Sequence, residues 1–221
     1  NDAGVGLDHA GIGTLALAQG VGMAAVTVAH KSARIGDAQD MWLRGHISYV
    51  NEAARLAGCV PALACREAAP RLACAPLPGA QVLAVDEART MMGPTGAGLR
   101  IACVDSVSLV NESDVGHIVI SGSHGALVAG QHGLAIRVKA AFGVYNDAGI
   151  GCDDAGVSRL PVLDKMGVAG ATVDASSARI GDARSMYASG IVSRVNALAN
   201  AQGVRPGMSV QEACECIAAQ C

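Results

Sequence analysis

Short apolar runs alternate with segments of helical periodicity along the C-terminal two thirds of the chain. The runs cover residues 99–109, 117–120, 136–145 and 168–173, and small or polar residues follow each of them. Short continuous runs of Val, Ile, Leu and Ala are typical of strands in a parallel sheet that is covered on both faces. The pattern therefore predicts four buried strands.

Helical spacing of apolar residues marks the segments between and after these runs. A short, glycine-interrupted helical stretch is expected after residue 125. A helix is predicted over 153–166, where Asp153 and Asp154 complement the positive end of the helix dipole, and its buried stripe is Val157, Leu160, Leu163 and Met166. A long helix is predicted to begin at the N-cap Asp182 and to bury Tyr187, Ile191, Val195 and Leu198. A last helix is expected from about Ser209. This alternation predicts an α/β fold in which parallel sheet layers carry flanking helices.

The chain also contains an internal repeat. Residues 1–61 align with residues 146–206 without a gap, at a constant offset of 145, and 28 of the 61 pairs are identical. This period is far longer than the roughly 20 to 50 residues of a solenoid repeat, so a domain-sized unit is duplicated. We expect an incomplete first repeat over 1–75 and a complete second repeat over 76–221, related by pseudo-twofold symmetry.

A strand and an SGSHG segment precede the second repeat but have no counterpart before Asn1. The first repeat is therefore expected to be truncated at its N-terminus, either because a segment equivalent to 76–145 has been removed or because a separate chain supplies it. We expect another chain, or a further copy in a homo-oligomer, to fill the gap, since an unpaired apolar sheet edge promotes aggregation.

Composition excludes several classes of function. The net charge is −3, from 16 basic and 19 acidic residues, and aromatic residues make up only 2% of the chain. Without a basic run or aromatic side chains for stacking, nucleic acid is not expected as a partner. No stretch reaches the roughly 18 to 20 apolar residues of a membrane span, and no signal peptide begins the chain, so we expect no membrane contact and a cytoplasmic location.

Eight cysteines raise the question of a metal site. Cys214, Cys216 and Cys221 lack the paired spacing of zinc ligands, and most of the others lie in alanine-rich stretches as small apolar residues. We therefore expect no bound metal and no cofactor.

Three polar segments each follow a predicted strand and precede a predicted helix. They are SGSHG at 121–125, NDAG at 146–149 and SARIGD at 177–182. Such segments meet at the carboxyl edge of an open parallel sheet, where ligands bind. We therefore predict that they form one site.

The SGSHG segment combines glycines with hydroxyl groups and an imidazole. Its amides could stabilise an oxyanion while His124 moves a proton, which makes His124 and Ser123 candidate catalytic residues. Ser121, Gly122 and Gly125 are candidate substrate-binding residues. The alternative is a tight turn with capping serines. The segment is neither a phosphate-binding loop nor a nucleophile elbow.

In the NDAG segment, Asn146 and Asp147 could hold a substrate hydroxyl or amide, and Asp147 could serve as a general base. The alternative is a turn in which these side chains bond the backbone. The same pair recurs as Asn1 and Asp2, so Asp2 is a further binding candidate.

In the SARIGD segment, the planar guanidinium of Arg179 could clamp a carboxylate or phosphate, with Asp182 beside it. The alternative is an ion pair with Asp182 or Asp147 that pins the loops together. The same choice applies to Arg34 and Asp37 in the first repeat. The repeats differ most beside this motif, where His30 and Lys31 replace Ala175 and Ser176.

These candidates favour an enzyme that acts on a small anionic or amide-containing metabolite as a metal-independent hydrolase or lyase. Two alternatives use the same residues differently. One is a non-catalytic module that binds a small molecule or has a regulatory role. The other is a structural subunit of an assembly. No dinucleotide-binding, kinase or zinc-protease signature is present.

Overall fold

A computed structural model of the chain describes residues 1–80, 85–93, 95, 98–129 and 135–220. Its strands are β1 Val26–Val28, β2 Ile47–Val50, β3 Arg89–Met92, β4 Ile101–Val104, β5 Ile118–His124, β6 Phe142–Asn146, β7 Ala169–Val173 and β8 Val192–Val195. Strands β3 to β8 form a six-stranded sheet in chain order, whereas β1 and β2 form a separate antiparallel pair. The four central strands β4 to β7 are parallel, and both edge strands, β3 and β8, are antiparallel to their neighbours.

Helices flank both sets of strands. They are α1 Thr14–Gly20, α2 Ala38–Arg44, α3 Glu52–Leu56, α4 Cys65–Ala73, α5 Leu160–Lys165, α6 Ala183–Ser189, α7 Ala197–Ala201 and α8 Val210–Ala218. Short 3-10 segments cover Leu7–Ile12, Val107–Leu109, Glu112–Asp114 and Cys152–Val157. In the part of the chain that the structure describes, no helix has the length and apolar character needed to cross a membrane.

The six-stranded sheet is covered on both faces, as the apolar runs predict. On one face Ile118 and Ile120 belong to a buried cluster with residues of α6 and α8. On the other, Val119 packs in a cluster with Leu160 and Leu163 of α5. The mixed α/β class and the mostly parallel sheet are thus confirmed.

The predicted long helix after Asp182 is wrong. Asp182 does cap a helix, since its Oδ1 accepts from the Ser185 amide at 2.9 Å, but α6 ends at Ser189 and the chain turns into β8. Asn196 then caps the short helix α7. Ile191 and Val195 are four residues apart, a spacing that fits a helix, yet Val195 pairs with Ala171 of β7 and Ile191 forms an antiparallel bridge with Ser209.

The predicted helix over 153–166 is also corrected. Asp153 and Asp154 have φ of 54° and 53°, a left-handed conformation that no right-handed helix contains, so they do not complement a helix dipole. The α-helix begins only at Leu160, with Pro161 in its first turn, where the missing N–H removes no hydrogen bond.

Strand boundaries differ from the apolar runs as well. The run at 99–109 contains only the short strand β4, and that at 136–145 only β6, whereas β5 extends through the SGSH residues. The helix predicted from about Ser209 is α8, with a capping box between Ser209 and Glu212. Residues 130–134, within the helical stretch expected after residue 125, and Cys221 lie outside the described residues.

The first 73 residues follow the same order of elements as the C-terminal part. At the offset of 145, the bounds of α2, β2, α3 and α4 coincide with those of α6, β8, α7 and α8. One backbone bond recurs at the same length, because the Asp2 amide donates to the Val28 carbonyl at 2.8 Å and the Asp147 amide to the Val173 carbonyl at 2.8 Å.

Reciprocal contacts join the two halves. The Leu7 amide donates to the Ala175 carbonyl at 2.8 Å, and the Cys152 amide donates to the His30 carbonyl at 2.7 Å. Between these bonds the two NDAG segments meet so closely that a Cβ on Gly149 would lie 2.9 Å from the Cα of Gly4. Only glycine fits at this crossing.

We predict that Gly149→Ala destabilises the fold more than Gly207→Ala. Both glycines have positive φ, 72° and 91°, but nothing lies within 4 Å of a Cβ on Gly207. The shared left-handed conformation costs about 1 kcal/mol, and the clash at Gly149 adds roughly 1–3 kcal/mol. Urea unfolding of both variants measures the difference, and equal losses would contradict the close crossing.

Candidate functional site

The SGSHG and NDAG segments lie side by side at the carboxyl edge of the sheet. His124, the last residue of β5, pairs with Asn146, the last residue of β6, after an irregularity in the register that begins at Ile120. The Gly125 amide donates to the Asn146 carbonyl at 2.7 Å. The SARIGD segment meets both of them, because the Gly181 amide donates to the Gly122 carbonyl at 2.8 Å and Asn146 Nδ2 donates to the Ala178 carbonyl at 3.2 Å.

Most polar groups of the SGSHG segment bond within the protein. Ser121 Oγ accepts from the Ser123 amide at 3.2 Å, and Ser123 Oγ accepts from the Val107 amide at 2.9 Å. A Cβ on Gly122 would lie 2.7 Å from the backbone of Gly181, and the Gly122 carbonyl accepts the Gly181 amide at 2.8 Å. Residues 121–124 are thus the end of strand β5 and not a tight turn, and the oxyanion and catalytic roles stay predictions.

One ring nitrogen of His124 has no hydrogen-bond partner among the described residues. Its Nδ1 accepts from the Ala126 amide at 3.3 Å, while Nε2 bonds no group among the described residues. Burial, and next the nearby Arg159 guanidinium, lower the pKa of His124 to about 4. The ring is therefore neutral at neutral pH, with its proton on Nε2.

Arg159 is itself buried and has no carboxylate partner among the described residues. It donates to the Ala126 carbonyl at 2.9 Å and to the Ala135 carbonyl, and its guanidinium carbon lies 4.6 Å from the ring centre of Tyr145. It thus joins both ends of the segment 126–135 and holds a positive charge close to His124.

Asn146 and Asp147 bond backbone groups of their own loop and of the segment that follows β7. The Asn146 Nδ2 donates to the Ala178 carbonyl at 3.2 Å, and Asp147 Oδ1 accepts from the amides of Gly149 at 2.9 Å and Ala175 at 3.0 Å. Asn1 makes the equivalent bond to the Ala33 carbonyl at 3.2 Å. These bonds fit the turn alternative. Substrate binding by Asn146 and Asp147 remains a prediction.

Both candidate arginines form ion pairs that cross between the halves. Arg179 pairs with Asp8 at 3.0 Å and with Asp182 at 3.2 Å, and Arg34 pairs with Asp153 at 2.9 Å. Both side chains remain about half exposed. Asp37, like Asp182, caps the helix that follows it.

The two SARIGD segments lie in different surroundings. Residues 34–39 of the first line a cleft of about 660 Å³, together with residues 127–129, Asp153 and Ser158. Gly36 lies against His124, since a Cβ there would be 3.3 Å from the imidazole Cε1. His124 thus packs behind Gly36, and neither His124 nor Arg179 is among the described residues that line the cleft.

Left-handed backbone is concentrated in the two NDAG loops. Of the nine non-glycine residues with positive φ in the described ranges, eight lie between residues 3 and 9 or between 148 and 154. They include Val5 and Ile150, at 66° and 63°, for which this conformation is an outlier. Such strain costs about 1–3 kcal/mol per residue and clusters at functional sites.

Sequence reasoning missed a pair formed by Asp2 and His30. The His30 Nδ1 lies 2.9 Å from Asp2 Oδ1, and the Asp2 side chain is only 4% exposed. The one signal in the sequence is the replacement of Ala175 by histidine in the first repeat, and it gives no partner for the imidazole.

Burial opposes ionisation of several cysteine thiols. Burial raises the pKa of the Cys103 thiol to about 11 and that of Cys214 to about 12. Burial also raises the pKa of Cys152. Within the described ranges no group of three or more His, Cys, Asp and Glu side chains is placed to hold a metal ion.

Comparisons of the chain with protein-family models, with curated proteins and with solved structures found no match. The site is therefore interpreted from its own geometry.

We predict that His124 titrates near pH 4. Because its pKa lies below the 6.5 of an unfolded histidine, the unfolded chain binds a proton that the folded chain does not, and stability falls as the pH drops from 6.5 to 4. The loss reaches about 3 kcal/mol. NMR titration of the His124 Cε1 proton measures the pKa, and His124→Gln should reduce the acid loss; a midpoint near 6.5 would contradict the prediction.

Proposed function

We propose that the chain is a metal-independent enzyme, a hydrolase or lyase, that acts on a small anionic or amide-containing metabolite. The substrate would lie in the cleft between residues 34–39 and 127–129. The observation that carries the proposal is the neutral imidazole of His124, which packs behind Gly36 of the cleft lining and whose Nε2 bonds no group among the described residues.

The proposed role of His124 follows from its tautomer. Since Nδ1 accepts the Ala126 amide, Nε2 carries the proton and can donate to the carbonyl oxygen of a substrate. A neutral imidazole fixed in this orientation stabilises negative charge as it develops on that oxygen and can release its proton to it.

Arg34 is the favoured anchor for a negatively charged group. It lines the cleft, and its guanidinium is held by the exposed carboxylate of Asp153 at 2.9 Å. Exposed ion pairs contribute only about 0–1 kcal/mol, so a substrate carboxylate can share or replace Asp153 at little cost. The first SARIGD segment, rather than the second, would then serve this site.

We also propose that the halves are diverged copies of one unit. The repeated hydrogen bonds of Asp2 and Asp147, the coincident helix bounds and the reciprocal ion pairs Arg34–Asp153 and Arg179–Asp8 support this. Among the described strands β1 pairs with β2 alone, whereas its counterpart β7 lies between two strands. A second chain or a further copy would pair there.

A non-catalytic binding module is the second candidate. It is favoured by the internal bonds of Ser123 and Asp147, which occupy two of the predicted catalytic groups. A thermal-shift screen of small carboxylates and amides would find ligands for either function. Turnover of a bound compound, lost in His124→Gln, supports the enzyme; binding without turnover supports the module.

We predict that Arg34→Lys weakens the binding of a small carboxylate found in that screen by about tenfold, because an ammonium cannot form two parallel N–H bonds to one carboxylate. The melting temperature should change little, since the ion pair is exposed.

Arg179→Lys is the corresponding exchange in the other copy; Arg179 pairs with Asp8 and Asp182, whereas Asp153, the partner of Arg34, also pairs with Arg44. The copy whose variant loses more affinity carries the anchor, and we expect Arg34→Lys to lose more. If neither affinity changes, both arginines belong to the scaffold.

A further inference from the structure

The Asp2–His30 pair has the geometry of a carboxylate that orients an imidazole. Asp2 Oδ1 accepts from the amides of Gly4 at 3.2 Å and His30 at 2.9 Å, and it lies 2.9 Å from His30 Nδ1. These bonds fix the carboxylate within its loop. The imidazole, which is 20% exposed, is in turn fixed by the carboxylate.

The second repeat shows that the loop does not need this imidazole. There Asp147 Oδ1 makes the same two backbone bonds, to the amides of Gly149 and Ala175, and a methyl group stands where His30 carries its ring. A structural role in the loop therefore explains the carboxylate but does not explain the histidine.

The orientation of the ring leaves a lone pair available. A carboxylate accepts from Nδ1–H, so Nε2 is the unprotonated nitrogen of the neutral ring. Nε2 bonds no group among the described residues and is not sealed from solvent. Gly149 faces this part of the ring, since a Cβ there would lie 3.2 Å from Cδ2 and 3.3 Å from Nε2.

The imidazoles of His124 and His30 thus present opposite hydrogen-bonding groups. His124, paired with Asn146, presents an N–H donor, whereas His30, against Gly149, presents an acceptor. Both adjoin the segment 146–149 that links the halves.

We propose that Asp2 and His30 form a proton-accepting dyad that hydrolyses a small ester or amide, with His30 as the catalytic base and Asp2 as a positioning residue. This substrate class rests on the proposed function. Nε2 takes a proton from water while the water oxygen bonds to the carbonyl carbon, and the carbonyl π electrons move to the oxygen. As the oxyanion collapses, the bond to the leaving group breaks and Nε2–H returns its proton to that group.

The dyad can be tested on the whole chain with p-nitrophenyl acetate as the ester probe and with NMR of ¹⁵N-labelled histidine. We expect His30→Gln to lower the protein-dependent rate of nitrophenolate release by about tenfold or more. His46→Gln is the control, because His46 is an exposed imidazole of the same half. All variants carry the same eight cysteines, so the thiol background is common to them.

Asp2→Asn separates the positioning role from a structural one. An asparagine keeps the oxygen that accepts from the Gly4 and His30 amides and from Nδ1–H, but it removes the negative charge that stabilises the ring once Nε2 has taken a proton. We expect the NMR signature of His30 to keep the proton on Nδ1 and the rate to fall, whereas a carboxylate that only holds the loop would leave the rate unchanged. Asp147→Asn makes the same exchange where no imidazole is present and measures its effect on the melting temperature alone.

Two results would overturn the dyad: a rate in His30→Gln within about twofold of the unmodified chain, or an Nε2-protonated ring in the unmodified chain. His124→Gln keeps this outcome distinct from the proposed function. A rate that depends on His30 but not on His124 supports the dyad and removes His124 from the chemistry. A rate that depends on neither histidine overturns the dyad.

Discussion

The crossing of the two NDAG loops is the constraint on which the rest of the molecule depends. At Gly4 and Gly149 the backbones approach until neither position has room for a Cβ, and carboxylates of Asp2 and Asp147 hold each loop from within. Backbone bonds to His30 and Ala175 lie on either side of the crossing. A shift at this point would move both SARIGD segments and the carboxyl edge of the sheet together.

The same crossing explains why left-handed residues accumulate there. To pass each other at this distance, the chains adopt turns that Val5 and Ile150 enter only with strain. The surrounding hydrogen bonds maintain this strained backbone. The exposed ion pairs Arg34–Asp153 and Arg179–Asp8 also connect the halves, and each contributes little to the free energy of unfolding. The arginines that resemble ligand anchors in the sequence therefore also connect the halves.

Burial and hydrogen bonding then separate the two histidines by chemistry. His124 lies under Gly36 beside a buried guanidinium, which favours the neutral ring, and its Nδ1 is used by an amide. His30 faces a carboxylate through the equivalent nitrogen. One imidazole is thereby a donor and the other an acceptor, and the residues adjacent to each in the sequence do not encode these roles.

By itself the sequence determined the α/β class, the buried central strands, the cap at Asp182, the helix from about Ser209 and the correspondence at offset 145, because these depend on local periodicity and short-range hydrogen bonds. It misplaced β8, since Ile191 and Val195 satisfy a helical spacing, whereas Val195 pairs with Ala171 of β7 and Ile191 forms a bridge with Ser209. It misassigned Asp153 and Asp154, whose left-handed backbone is imposed by contacts with the other half. Only the tertiary structure decided which candidates meet. The Asp2–His30 pair, the burial of His124 and the partners of Arg34 all join residues from distant parts of the chain, and no local pattern encodes such distances.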